Sequence, residues 1–363
     1  MKNTYYISHA RQRGMGIVEL MVGVVIALLG TIVVFQTFAV SEGYKRTTIS
    51  GNDAQQSGAI ALFTVERDVR QAGFGLGSLF TLSCTIKGFD QTGAVSFPIS
   101  VDQWGPAVIV NGAGTAPDQI RVNYASSDAI PFAAKLTDSY AGNSANIKVN
   151  NRYGFKEGDL ILIADPTNPA ADCSLMQVTG VPGTPGNTDN IIHNSGMYTN
   201  AFGSNVPARY NPPGGLGIAY PVDSTVLNLG ALPEGKTYSV SNNSLFVNDS
   251  YQPGAVAFAD NIVDLQAQYG RDTNDDGIID IWDENTVAAK ANWNNVLALR
   301  VGIVARSSIR EKEVVTPGTS LALWINPAGS ANGPSHTLSS EDNFYRFKVY
   351  ETIIPLRSII WRE

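Results

Sequence analysis

The stretch Arg13-Gly14-Met15-Gly16-Ile17-Val18-Glu19-Leu20-Met21-Val22, with the apolar run that follows it to Val40, decides how this chain is read. From Leu20 to Val40 there is no Asp, Glu, Lys or Arg, and between Met15 and Val40 the only charge is Glu19. As a helix, Met15–Val40 is about 39 Å long at ~1.5 Å per residue. That exceeds the ~30 Å hydrocarbon core of a bilayer, so the run can cross a membrane with some tilt. Lys2, Arg11 and Arg13 precede it with no acid among them, and a basic flank of this kind stays on the cytoplasmic side.

Two ordinary explanations compete. A secretory signal peptide has an apolar stretch of about 7–15 residues and a small-residue cleavage site after it. This run is longer, and its exit reads Ala39-Val40-Ser41-Glu42-Gly43-Tyr44, with no A-x-A site. A plain signal anchor fits the length but not Glu19, because a carboxylate inside a spanning segment is costly unless partnered. Glu19 as an acid snorkelling to the interface is the bland alternative.

These residues resemble the type IV prepilin signal: a short basic leader ending in Gly, cleavage before the next residue, and Glu as the fifth residue of the product. Gly14 ends the leader here, Met15 stands where Phe is usual, and Glu19 is the fifth. The resemblance implies cutting by prepilin peptidase between Gly14 and Met15 and N-methylation of Met15. It also implies that the apolar segment is retained as the core of a filament. Packed helices in a filament exclude both water and lipid, where a lone carboxylate is unfavourable and a paired one is tolerated. In this family the implied partner of Glu19 is a neighbouring subunit's freed α-amino group.

Composition suits a protein working outside the cytoplasm. The 363 residues are 44% hydrophobic and only 16% charged, against about 25% charged in a typical domain. Formal charge is −7, and loss of the leader with Lys2, Arg11 and Arg13 takes it to −10. No basic stripe with interleaved aromatics supports nucleic-acid binding. Cys84 and Cys173 both follow the apolar run, hence lie in an oxidising compartment if the N-terminus is inside. One intramolecular pairing is available to them, and two buried free thiols are the alternative.

The helical pattern continues beyond Val40, clearest over 55–72, where Ile60, Leu62, Phe63, Val69 and Ala72 make an apolar stripe with Glu66 and Arg70 on the polar side. Gly73 is placed to end it. The segment Glu66-Arg67-Asp68-Val69-Arg70-Gln71-Ala72-Gly73-Phe74 resembles PilW-like minor pilins. From Cys84 to about Val263 short strands alternate with turns; 106–110, 119–124, 146–149, 159–164 and 176–179 are the clearest. The Gly/Pro/Asn-rich stretch 181–217 reads as a long exposed loop. Near the C-terminus 296–305 and 345–352 alternate as strands.

Two motifs invite chemistry. Gly230-Ala231-Leu232-Pro233-Glu234-Gly235-Lys236-Thr237 matches the phosphate-loop pattern in full, but a β-branched and aromatic alternation follows where a helix is needed, and Glu234 opposes phosphate. It is read as an accidental match. Asp272-Thr273-Asn274-Asp275-Asp276-Gly277-Ile278-Ile279-Asp280-Ile281-Trp282-Asp283 carries oxygens at the spacing of a calcium loop. Asp272, Asn274, Asp276, Asp280 and Asp283 supply side chains, Ile278 its carbonyl, and Gly277 the tight turn. Position twelve is Asp rather than Glu, and the entering segment 263–270 reads as a strand. A solvated acidic turn is the alternative. No catalytic set emerges; His9, His193 and His336 lack a nucleophile motif or ligand spacing.

The expectation is an α+β protein: leader 1–14, a pilin-type helix 15–72 with its membrane segment at about 20–40, and a β-rich periplasmic or extracellular domain 73–363. The resemblance implies a minor pilin of the type IV pilus, not an enzyme. It implies an inner-membrane subunit, single-pass with its N-terminus inside, that joins other minor and major pilins in a priming or tip complex. Two alternatives stay open: a minor pseudopilin of type II secretion, and a membrane-anchored periplasmic calcium- or carbohydrate-binding protein.

Overall fold

The computed structural model describes residues 14, 16–76, 84–93, 95–99, 105–126, 133–168, 171–183, 189–231, 234–249, 254–284, 293–325 and 333–360. One long helix, α1, runs Ile17–Gln71, and apart from the short helix Arg357–Ile360 and two 3-10 turns the described remainder is strand, turn and loop. The chain divides into two compact units, Met1–Asn52 and Asp53–Glu363.

The first unit contributes the start of α1. Its apolar side chains are exposed all round, from Ile17 and Leu20 to Phe35 and Phe38. A helix that is hydrophobic on every face belongs in a protein core or a membrane. α1 is long and apolar enough to span a bilayer, and none of its most apolar window is buried.

In the second unit the Asp53–Gln71 part of α1 lies against β-structure. The face it buries differs from the expected stripe. Ala54, Gly58, Ala61, Val65, Asp68, Val69 and Ala72 are inside, following the three- and four-residue steps of a helix face. Ile60 and Phe63 stay 44% and 66% exposed. Small residues face the sheet because a Cβ at Gly58 would sit inside the Tyr350 ring and 3.1 Å from the Ala305 Cβ. The helix ends at Gly73, whose φ of +79° is costly for any residue with a Cβ. The Gly73 N–H is taken by Asn123 O at 2.9 Å.

Three sheets complete the core. The first orders Ile86–Lys87, Cys173–Gln177, Leu160–Ala164, Thr225–Gly230 and Ala134–Lys135. The second orders Ala255–Asp260, Ser244–Asp249, Glu234–Ser241, Gln119–Tyr124 and Ala107–Val110. The third orders Ile281–Asp283, Ile262–Arg271, Val296–Arg306 and Phe347–Pro355. The main core joins α1 to the second and third sheets through Val65, Val69, Tyr238, Leu265, Val301 and Ile303. The first sheet is covered on both faces. Leu160 and Leu162 point into the main core, while Ile161 and Ile163 enter a second one with Met176, Ile191 and Tyr220. Burial on both sides explains why Leu160-Ile161-Leu162-Ile163 is continuously apolar instead of alternating.

The 181–217 stretch is not a structureless loop. Its described part holds the short strands Asn190–Ile192, Met197–Thr199 and Asn205–Pro207, and Ile191, Ala208 and Tyr210 are buried. The Phe347–Pro355 strand begins two residues later than expected because Tyr345 caps a 3-10 turn. Cys84 and Cys173 are joined by a disulfide, Cα atoms 5.7 Å apart, which ties the start of the domain to the first sheet.

Candidate functional site

At the N-terminal end Gly14 is exposed and precedes the helix, and Glu19 lies exposed in the first turn of α1. An acid there complements the positive end of the helix dipole. Met15 and the leader 1–13 lie outside the described residues. Gly14 and Glu19 belong to the first unit, and the acidic loop and the disulfide belong to the second.

Within the second unit, helix and sheet meet through a polar junction. Asp68 is buried on α1, and the Tyr238 hydroxyl donates to its Oδ2 at 2.6 Å. Lys236 Nζ lies 3.3 Å from the same oxygen, and Arg67 Nε lies 3.0 Å from Oδ1. Burial, then the bond to Asp68, raises the Tyr238 phenol above its ordinary pKa, so it stays a donor. Lys236 is the lysine of the phosphate-loop pattern, and here it sits in the Glu234–Ser241 strand against Asp68 and the Tyr124 hydroxyl. No helix follows it, in keeping with the accidental reading. Sequence patterning missed this junction, since it assigned only Glu66 and Arg70 to the polar side of the helix and gave Asp68 no role.

Tyr238 also marks where the chain meets a known family. Residues 237–358 match the family model described as Type IV Pilus-assembly protein W. The match covers about a third of the chain and supports a role in type IV pilus assembly. No curated protein and no solved structure matches the chain.

The PilW segment contains the acidic loop, now seen as the turn of a hairpin between Ile262–Arg271 and Ile281–Asp283. Gly277 has φ +81°, as the tight turn requires. Asp272 organises the loop: Oδ1 accepts the N–H of Asn274 and Asp275, and Oδ2 that of Gly277. Asp280 accepts both the N–H and the hydroxyl of Thr273, and Asp276 accepts the N–H of Ile278. Burial works to raise the Asp272 carboxyl, but the backbone donors led by Gly277 outweigh it and hold it below the usual range. Asp283 is turned away to a forked ion pair with Arg271. Among the described residues no three His, Cys, Asp or Glu side chains form a metal-holding group. As arranged, the carboxylates satisfy the loop's own backbone and one arginine instead of converging on a point.

Two buried acids, Asp264 within the PilW segment and Asp118 outside it, form contacts that the sequence did not disclose. His336 lies in the Ser335–Thr337 strand, not a loop, with Nδ1 2.8 Å from Oδ2 of fully buried Asp264. Beside it, Asp118 caps the free edge of Ile262–Arg271: its Oδ2 accepts Ala267 N–H, its Oδ1 accepts Gly112 N–H, and its own N–H reaches Leu265 O at 2.7 Å. These bonds fasten the turn of the second sheet to the third sheet. Each bond to the Asp118 carboxylate needs an acceptor of fixed geometry.

Proposed function

We propose that the chain is a minor pilin of the type IV pilus, inserted in the inner membrane with its N-terminus in the cytoplasm. Prepilin peptidase cuts it between Gly14 and Met15, Met15 is N-methylated, and the subunit then joins other minor and major pilins in a complex that primes the filament or sits at its tip. The observation that carries this reading is that a PilW match at 237–358 and a spanning helix headed by Gly14 and Glu19 occur on one chain.

Further support comes from the surface. The helix face turned away from the sheets keeps Ile60 and Phe63 exposed, and the neighbouring edge strand exposes Val256 and Phe258. An apolar face of this kind suits burial against another subunit. Glu19, alone in an apolar helix, would dock in one register against a neighbour's α-amino group.

Deleting the gene tests the reading. Loss of surface pili, restored by the wild-type chain but not by Glu19→Ala, is the expected result. Intact pili with lost exoprotein secretion would instead favour a type II pseudopilin. For the 272–283 loop we propose calcium as ligand, held by Asp272, Asn274, Asp276, the Ile278 carbonyl, Asp280 and Asp283. Binding would require Asp283 to leave Arg271.

A further inference from the structure

A sheet edge offers its row of backbone N–H and C=O groups to any strand that meets it, and folded proteins blunt such edges with charge, brevity or cover. Among the described strands, five of the six edges of the three main sheets are blunted in this way. In the first sheet the edge strands Ile86–Lys87 and Ala134–Lys135 are two residues long and each ends in lysine. In the third, Ile281–Asp283 is three residues long and ends in an acid, and Phe347–Pro355 carries Lys348 and Glu351. In the second, three of the four residues of Ala107–Val110 are buried.

The sixth edge differs. Ala255–Asp260 is six residues long and pairs only with Ser244–Asp249 among the described strands. Its run Ala255-Val256-Ala257-Phe258-Ala259 holds no charge and no proline. The first four of these residues are exposed, Val256 by 68%. Phe258 is skipped in the pairing, at a bulge, and a bulge can re-aim a side chain. Phe258 lines an open groove of about 410 Å³ between α1 and the end of this strand. Ile60, Asp53 and Asp260 line it too, and no Lys, Arg or His does. Both carboxylate residues are exposed. The groove thus offers apolar side chains beside two acids with no base among them.

We propose that this edge receives an extended segment of a different pilin subunit, which pairs its backbone along Ala255–Ala257, covers Phe258 and Ile60 with an apolar side chain, and sets a Lys or Arg against Asp53 and Asp260. The inference rests on the pilus reading and adds to it which surface docks and what chemistry the partner carries. An extended segment fits because a helix already bonds its own backbone and would leave the edge unpaired. The groove has room for the side chains, since clefts that hold ligands span about 300–1,000 Å³. A base fits because opposite charge across an interface selects the partner and its register. A second copy of this chain fits poorly. Through the same strand it would bring five uncharged residues and another Asp260, and no base for the two acids.

Photo-crosslinking in piliated cells tests it. A photoreactive phenylalanine analogue is placed at position 257, and in a second strain at 255, and the crosslinked peptides are identified by mass spectrometry. We expect an adduct to a different pilin at both positions, within a segment of alternating apolar residues. That segment should hold a Lys or Arg about three residues from the adduct, the separation of positions 257 and 260 along a strand. Val256→Lys gives this edge the charge that others carry, and Asp53→Lys reverses one acid of the groove. Each should cut the adduct at least about tenfold, while Asp53→Glu should retain it. All three act at exposed positions, so loss of the fold does not mimic the result. An adduct to a second copy, to another part of the same chain or to lipid overturns the proposal, as does an undiminished adduct in Val256→Lys or Asp53→Lys. No adduct at either position, in cells that make pili and process the chain to Met15, overturns it and leaves the pilus reading standing. A chain still beginning at Met1 in unpiliated cells fails the pilus reading, and this inference with it.

Discussion

The hydroxyl of Tyr238 donates a 2.6 Å hydrogen bond to the carboxylate of Asp68, across 170 residues of sequence. It links the helix that emerges from the apolar segment to the first strand of the PilW segment. Both groups are buried. Tyr238→Phe keeps the ring and deletes only the hydroxyl, leaving a buried carboxylate oxygen with one partner fewer. Hydrogen bonds to charged groups contribute about 1.5–3 kcal/mol, so we expect a loss of that order in denaturant unfolding. An unchanged midpoint would mean that Lys236 and Arg67 together satisfy Asp68.

Gly58 under Tyr350 sets how closely the helix approaches the third sheet. Gly58→Val forces the Tyr350 ring aside and breaks its 2.9 Å bond to Gln55 O. Overpacking of this kind costs about 1–3 kcal/mol. Limited proteolysis should cut within 53–71 faster in the variant than in the wild type.

The Cys84–Cys173 bond closes a long loop. Removing a native disulfide typically costs about 2–5 kcal/mol. Cys84→Ser with Cys173→Ser should lower the melting temperature, and wild type treated with reductant should approach the variant. Identical melting with and without reductant would show the bond to be absent in the purified protein.

Asp118 gives a pH signature. Burial pushes its carboxyl up to about 6, with the N–H groups of Gly112 and Ala267 opposing. In an unfolded chain Asp titrates near 3.9. Between these values the folded state binds the proton more tightly, so this residue favours folding at low pH and the benefit declines as pH rises from about 4 to about 6. A shift of this size is worth roughly 3 kcal/mol. Asp118→Asn should therefore gain stability relative to wild type across that window, and the difference should be flat above about pH 7.

The acidic hairpin loop carries its own test. If calcium binds, millimolar calcium should raise the melting temperature and change the fluorescence of neighbouring Trp282, and Asp276→Ala should abolish both. Neither effect in the wild type would leave the loop as a turn organised by Asp272.

The helix and several strands were legible because their signals are local. Gly73 marks the end of α1, and the Gln119–Tyr124 strand has the bounds expected of it. The buried helix face was misread because hydropathy weights Ile60 and Phe63 above Ala54, Gly58 and Ala61, although only small residues fit under Tyr350. Asp68, Asp118 and Asp264 were unreadable for the opposite reason: the groups that satisfy them, Tyr238, Ala267 and His336, lie far off in sequence. The strands within 181–217 span three residues each, too short for a period to show. Gly14 and Glu19 were singled out by their resemblance to the prepilin signal.

The most direct test is the mass of the N-terminal peptide of this chain recovered from sheared pili. The account predicts a peptide beginning at N-methylated Met15, present in the filament fraction. A chain confined to the membrane and still beginning at Met1 would contradict it.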